Sequence, residues 1–351
     1  MPTRTRREAG SPLDPFQGDI SVNRTLLQSA RTALLVLPLL GLAGAATAQD
    51  AASYPGKTVT IVVPTPPAGG TDLIARLFAD VLGKAFKQSV IVDNRAGANG
   101  ILGVDYVAKG PADGSRVLFT YAATMVINPS LYKKLPYEPL KDFAPIAQIG
   151  RGGNLLLVRK DLPPNTLKDF VAYAKAHPDK LNYCSWGNGS GGHLTMEGLK
   201  KQAGISLLHV PYKGSSPCVQ DLMGGQVDAA FADISSTIEV VKAGRVKALA
   251  YSGSDRLPML PDVPTMTQAG YPFKNYTWYG FFVPARTPPA IVQRLNDEIY
   301  RALQDPAVLK RLRELNFTDL PQPTPAQFKE VLRQDLQDWS VLVKSIGVTL
   351  D

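Results

Sequence analysis

Residues 58–82 read TVTIVVPTPPAGGTDLIARLFADVL, and this stretch decides the fold. Residues 58–63 are short, apolar and β-branched, the signature of a buried strand. A Pro- and Gly-rich loop follows. From Thr71 onward, Leu73, Ile74, Leu77, Phe78, Val81 and Leu82 recur at spacings of three and four, which predicts an amphipathic helix. Strand, glycine loop, helix is the unit from which open α/β sheets are built.

The same alternation continues outward. Strands are predicted at 89–92 and 117–121, with a Gly-rich turn at 94–100 and a short helix at 101–108. It resumes after Arg151-Gly152-Gly153, with strands at 155–158, 181–184, 207–210, 229–232 and 248–251. Helices at 167–176, 194–203 and 217–223 lie between them. A strand at 278–283 precedes a helical tail that includes 290–303 and 325–345. This order predicts two α/β units, the second inserted in the first, each a mostly parallel sheet with helices on both faces. Lobe 1 is expected over 49–150 and 277–351, and lobe 2 over 151–276.

The N-terminal segment reads differently. Arg24 and Arg31 precede an apolar run at 32–43, and Ala46-Thr47-Ala48 offers a small-x-small cleavage signature. The run is shorter than the ~20 residues a membrane span needs. Residues 1–48 are therefore expected to be a leader with a signal peptide outside the fold. Residues 1–21 are polar and long for its first region, so the expected translation start is Val22.

The 351 residues carry a net charge of +8. Residues 1–48 hold five basic and three acidic residues, so the remainder holds 33 against 27, a net of +6. That mild excess suits an anionic ligand. It is not a nucleic-acid footprint, because no Lys/Arg run or RNA-binding motif accompanies it.

Two loops stand where α/β sheets bind ligands, beyond the carboxyl ends of strands. The first holds Ala68, Gly69, Gly70, Thr71 and Asp72. Free N–H groups at a helix start favour an anion, and Thr71 or Asp72 is expected to cap. The second runs from Ser185 through Trp186, Gly187, Asn188, Gly189, Ser190, Gly191 and Gly192 to His193. Gly187, Gly189 and Gly192 match a dinucleotide fingerprint formally, but no acidic residue follows ~20 positions later. The nucleophile-elbow pattern is missing around Ser185 and Ser190. His177, His193 and His209 fit no metal-binding spacing, so no metal or cofactor is expected. Ser190, His193 and Glu197 lack a clear orienting order, and no catalysis is expected. Cys184 and Cys218 are the only cysteines; in an oxidising compartment they suggest a disulfide, the alternative being two buried thiols.

Several longer segments carry a family likeness: YPGKTVTIVVP, PAGGTD, VDNRAGANGILGVDYVAKGPADG, NPSLYKKLPYEPLKDFAPIAQIG, GNGSGGHLTMEGLKKQAGI, HVPYKGSSP, DLMGGQVDAAF and LPDVPTMTQAGYP. Together they resemble the Bug-type substrate-binding proteins of tripartite tricarboxylate transporters across 53–351. The resemblance implies a two-lobed periplasmic binding protein of type II, a monomer that closes on a small carboxylate and hands it to membrane subunits. It implies ligand contacts from Ala68, Gly69, Gly70 and Thr71, and from Ser185, Gly189, Ser190 and His193. Ala123 and Thr124 belong to a third candidate loop, and Asp233 is expected near the ligand's distal end. Thr65 stands where the family usually has an aromatic residue, and Trp186 where it is usually small or apolar. Trp186, with Tyr276 and Trp278, tilts the expectation toward a flat or aromatic acid. The cysteines also replace residues that are commonly small, which favours the bridge. A periplasmic sensor that presents the same ligand to a signalling receptor is the competing expectation.

Overall fold

A computed structural model describes residues 53–315, 317 and 319–350. The expected leader and the start at Val22 lie outside the described residues. Among the described residues no helix is long and apolar enough to cross a membrane.

The chain opens with β1 (Val59–Val63), α1 (Gly70–Phe86), β2 (Val90–Asn94), α2 (Ile101–Ala108) and β3 (Arg116–Tyr121). A π-helical turn (Ala123–Ile127) and two short helices, α3 (Asn128–Leu131) and α4 (Pro139–Asp142), lead to β4 (Phe143–Gly152). The inserted part comprises β5 (Leu155–Arg159), α5 (Leu167–Ala176), β6 (Asn182–Ser185), α6 (Gly191–Ala203) and β7 (Leu208–Pro211). It continues with α7 (Ser215–Met223), β8 (Ala229–Ala232), α8 (Ile234–Lys242) and β9 (Val246–Tyr251). The chain then returns through β10 (Thr277–Pro284) to α9 (Pro289–Ala302), α10 (Pro306–Glu314) and α11 (Pro325–Ile346).

These strands form two five-stranded sheets, ordered β2-β1-β3-β10-β4 and β7-β6-β8-β5-β9. The plan is the same in both. Four strands share a direction, and the fourth in order, β10 or β5, runs against them. The expected parallel bias holds in direction, but the pairing is mixed, because that reversed strand makes two antiparallel ladders in each sheet.

The reversed strands fix where the functional ends lie. The carboxyl end of β4 leads straight into the start of β5, and β9 leads to β10. Each reversed strand starts at the end of its sheet where the parallel strands finish. Both crossings therefore join the two loop-bearing ends. They also bond to each other: Gly153 N–H donates to Tyr251 Oη at 2.8 Å and Asn154 N–H to Ser252 Oγ at 2.7 Å. Ser252 N–H returns to the Asn154 carbonyl at 2.9 Å. A Cβ on Gly153 would lie 2.3 Å from the Gly253 nitrogen, so only glycine fits there.

Both faces of each sheet are packed. In β1, Val59, Ile61 and Val63 join a core with Phe78 of α1 and Ile291, Leu295 and Ile299 of α9. Val62 points the other way, toward Phe282, Phe328 and Trp339, as the two-residue period requires. Leu194 of α6, from the inserted part, is fully buried in this second core, which includes Leu131 and Val343. Burying such a leucine contributes about 1.5–3 kcal/mol, so the two halves share apolar structure as well as backbone crossings.

Trp278 belongs to this core rather than to a ligand site. It is 1% exposed, and its Nε1–H donates to Asp335 Oδ2 at 2.6 Å. Burial pushes the Asp335 carboxyl up to about 6, against the Trp278 and Arg151 contributions. Stability from protonated Asp335 is thus complete below about pH 4 and lost as pH rises through about 6. Asp335→Asn should add about 1 kcal/mol at pH 7.5 and nothing at pH 4, read as melting temperatures. An equal gain at both values would refute the burial account. Gly153→Ala should lower stability by about 1–3 kcal/mol through overpacking, measured by urea unfolding.

Candidate functional site

The loop after β1 opens α1 without a side-chain cap; Gly69 is the N-cap residue. The cap expected from Thr71 or Asp72 is therefore corrected. Asp72 instead turns back into the loop, accepting from Ala68 N–H at 2.9 Å, Arg76 Nε at 3.0 Å and Asn94 Nδ2 at 3.0 Å. Burial pushes its carboxyl up, but these donors outweigh burial and hold it below the usual range. Ala68 sits at φ 66° with its N–H committed to Asp72, so it shapes the loop and offers no free donor. Ala68, Gly69 and Gly70 are exposed. A Cβ on Gly70 would meet nothing within 4 Å, which leaves the first turn of α1 open to a ligand.

The loop after β6 is closed by internal bonds. Ser185 is fully buried, and its Oγ donates to the Gly187 carbonyl at 3.0 Å and sits 2.8 Å from His209 Nε2. Gly189, at φ 71°, donates its N–H to His193 Nδ1 at 3.0 Å. Ser185 Oγ and the Gly189 N–H, both expected to contact a ligand, have partners within the protein. Ser190 is the N-cap of α6, and its Oγ accepts from His193 N–H at 3.3 Å. The hydroxyl proton of Ser190 remains available as a donor beside that helix start.

His193 and His209 stack face to face, centroids 4.0 Å apart and planes 8° from parallel, with Tyr183 on the far side of His209. Burial, then the neighbouring His193, pushes His209 down to about 4; burial also lowers His193. Both rings are neutral at pH 7, so His193 can accept from Gly189. Glu197 bonds to Tyr183 and Lys200 rather than to a histidine. Ser190, His193 and Glu197 therefore do not assemble a nucleophilic relay. Among the described residues no group of three His, Cys, Asp or Glu could hold a metal ion.

Trp186 is half-buried and roofs the first turn of α6. A Cβ on Gly192 would lie 2.5 Å from its ring, and one on Gly191 3.4 Å. The indole thus packs on its own helix. The Asn154 amide lies against the same turn.

Among the remaining candidates, Ala123 is half-buried and Thr124 fully buried in the π-helical turn. Thr124 Oγ1 donates to the Tyr121 carbonyl at 2.9 Å and faces Thr120 Oγ1 at 2.7 Å, so its hydroxyl is spent inside the protein. Asp233 caps α8, accepting from Ser236 N–H at 2.9 Å.

The sequence reading missed Tyr279 on β10. Its hydroxyl lies near the Thr71 side chain, its ring lies 6.2 Å from Tyr121, and it feels the Asp233 charge. Burial first, then Asp233 and Tyr121, raise its pKa, so it stays a protonated donor. It joins loop residues of both sheets. Trp278 and Tyr279 alternate on one strand and so face opposite sides of the sheet, each with a packed core. Tyr276 is half-buried with the Arg151 guanidinium 5.7 Å from its ring.

Cys184 and Cys218 are joined in a disulfide with Cα atoms 5.7 Å apart.

Known proteins share this sequence and architecture. Protein BugT of Bordetella pertussis is 34% identical over 313 residues, covering 89% of this chain and 96% of BugT. The solved structure of Rpa4515 of R. palustris with adipate has a TM-score of 0.76 at 33% identity, covering 84% of this chain and 99% of that one. MatC of Rhodopseudomonas palustris with bound malate has a TM-score of 0.72 at 35% identity, covering 83% and 100%. Residues 74–348 match the family described as tripartite tricarboxylate transporter family receptor, and the chain belongs to that family.

Proposed function

We propose that this chain is an exported, monomeric receptor that captures a small carboxylate in the periplasm and delivers it to the membrane subunits of a tripartite transporter. One observation carries the reading. Two helix starts, the open first turn of α1 and the Ser190-capped first turn of α6, lie at the loop-bearing ends that the crossings join. Backbone N–H groups and the helix dipole favour an anion at such ends. The relatives with adipate and malate support the same ligand class. The lobes are 49–150 with 277–351, and 151–276, and they close about the two crossings.

Within this reading Gly69, Gly70 and Thr71 seat one carboxylate, with Ser190 and the first turn of α6 facing it. Trp186 forms the wall beside that turn, and Tyr279 and Asp233 meet the ligand's far end. A flat or extended dicarboxylate suits a wall of indole and two separate donor sets. The site binds without turnover in this reading: Ser190 caps α6, His193 accepts from the Gly189 N–H, and Ser185 is buried against His209.

A thermal-shift screen should find melting raised by one or more of adipate, malate, phthalate and nicotinate. A rise with only amines or neutral sugars would overturn the carboxylate assignment. Ser190→Ala should lower stability by about 1 kcal/mol through the lost cap. It should also weaken binding of the acid found in the screen by about 1–3 kcal/mol in calorimetric titration. Unchanged affinity would remove Ser190 from the site.

A further inference from the structure

We infer that the Cys184–Cys218 disulfide is a positioning strut for the β6–α6 loop, holding Trp186 and the start of α6 in their binding geometry. The functional half of this inference rests on the carboxylate reading above. The structural half does not.

The argument begins with the loop's composition. From Ser185 through Gly192 the chain has four glycines, and Gly187 and Gly189 lie at φ 141° and 71°. Such residues adopt many backbone states when unrestrained. Most bonds inside the loop are of ordinary length, but the two from Gly187 N–H to Ser185 Oγ and from His193 N–H to Ser190 Oγ are both 3.3 Å. Those two, at the root of the loop and at the start of α6, lie beyond the usual range and hold these points weakly.

The bridge acts at the root of this loop. Cys184 is the next-to-last residue of β6, two positions before Trp186, and Cys218 lies in α7. Strand β6 pairs with β7 through Cys184↔Val210 and Ser185↔Pro211, and Tyr212 N–H donates to the Ser185 carbonyl at 2.9 Å. The disulfide therefore ties the exit of one βα unit to the helix of the next. The adjoining β7–α7 loop has its own left-handed glycine, Gly214 at φ 126°, and α7 has no side-chain cap. Beside the bridge, the β6–α6 loop rests on Leu131 and Leu350 at Gly189 and on the Phe231 carbonyl at Gly192, contacts that no covalent link reinforces. Both cysteines are fully buried among Leu157, Val219, Leu222 and Ala230, away from reductants in solution.

A binding constellation works only when held close to its productive geometry. Fixing a loop before binding also removes ordering cost from the association. The strut meets both needs at the one loop of the site that is built mostly from glycine and serine.

The test compares the parent with Cys184→Ala/Cys218→Ala by hydrogen–deuterium exchange, well below the melting temperature of the variant. Cys184→Val/Cys218→Ala, which refills the volume, replaces it if the alanine pair does not fold. Amides at 186–194 should exchange at least tenfold faster in the variant, with β1, β3 and α1 unchanged. Equal exchange at 186–194, or a uniform rise over β5, β8 and β9, overturns the strut. Adipate and malate are titrated into both proteins. A tenfold loss of affinity in the variant supports the functional half, and unchanged affinity overturns it. If the parent itself binds neither acid nor any other carboxylate, the receptor reading fails, and the exchange data alone decide the strut.

Discussion

The reversed strand in each sheet is the constraint on which the rest of the structure depends. Strands β5 and β10 run against their neighbours, so each must be entered from the end where the parallel strands stop. The chain changes sheets only at those ends. The loops that follow β1, β3, β6 and β8 are thereby gathered on one side of both sheets without any contact between the loops being required. Gly153 and Asn154 then donate their N–H groups to the Tyr251 and Ser252 hydroxyls, and Ser252 N–H returns to the Asn154 carbonyl, so the two crossings are tied together. A pair of segments tied this closely can bend together, which is how hinge closure distributes its dihedral changes.

An anion site built from helix starts differs physically from one built on arginine or lysine. Backbone donors carry partial charge and no side-chain entropy, so they lose little freedom on binding. They must, however, be presented by loops with no bulky side chain in the way. That explains why Gly70 faces open space at α1, and why Gly192 leaves room for an indole at α6. Asp72, beside the first seat, is neutralised by Arg76 and turned into the loop, so it does not oppose an incoming anion.

Much of this was legible in the sequence. The β1–loop–α1 stretch announces itself by a switch from β-branched run to helical period, and the position of both glycine loops follows from it. Strand β4 was missed, because Pro145 and Gly150 interrupt its apolar run and mimic loop punctuation. Helix α8 was missed because ISSTIEVVK is rich in Ser, Thr and β-branched residues; its stability comes from the Asp233 cap and from burial of Ile234 and Ile238. Which loop donors are free was beyond sequence reasoning. Ser185 is occupied by His209, 24 residues away, and Trp278 is placed in the core by Asp335, 57 residues away. Long-range partners of this kind leave no periodic trace.

The two helix starts are not equivalent, and the difference bears on specificity. The α1 seat is open to water, where a charge–dipole interaction is screened. The α6 seat lies under Trp186, beside buried His193 and half-buried His209, where lower polarity strengthens the same donors. A carboxylate held at α6 must also fit beside an indole ring, whereas one held at α1 meets no such wall. Thr65 removes the aromatic surface that the family resemblance places on the first-lobe side, while Trp186 supplies one on the other. In the proposed receptor reading, the apolar wall then lies on the lobe whose loop is braced by a disulfide, and discrimination among acids is assigned to the β6–α6 loop, with the β1–α1 loop contributing mainly to recognition of the charge.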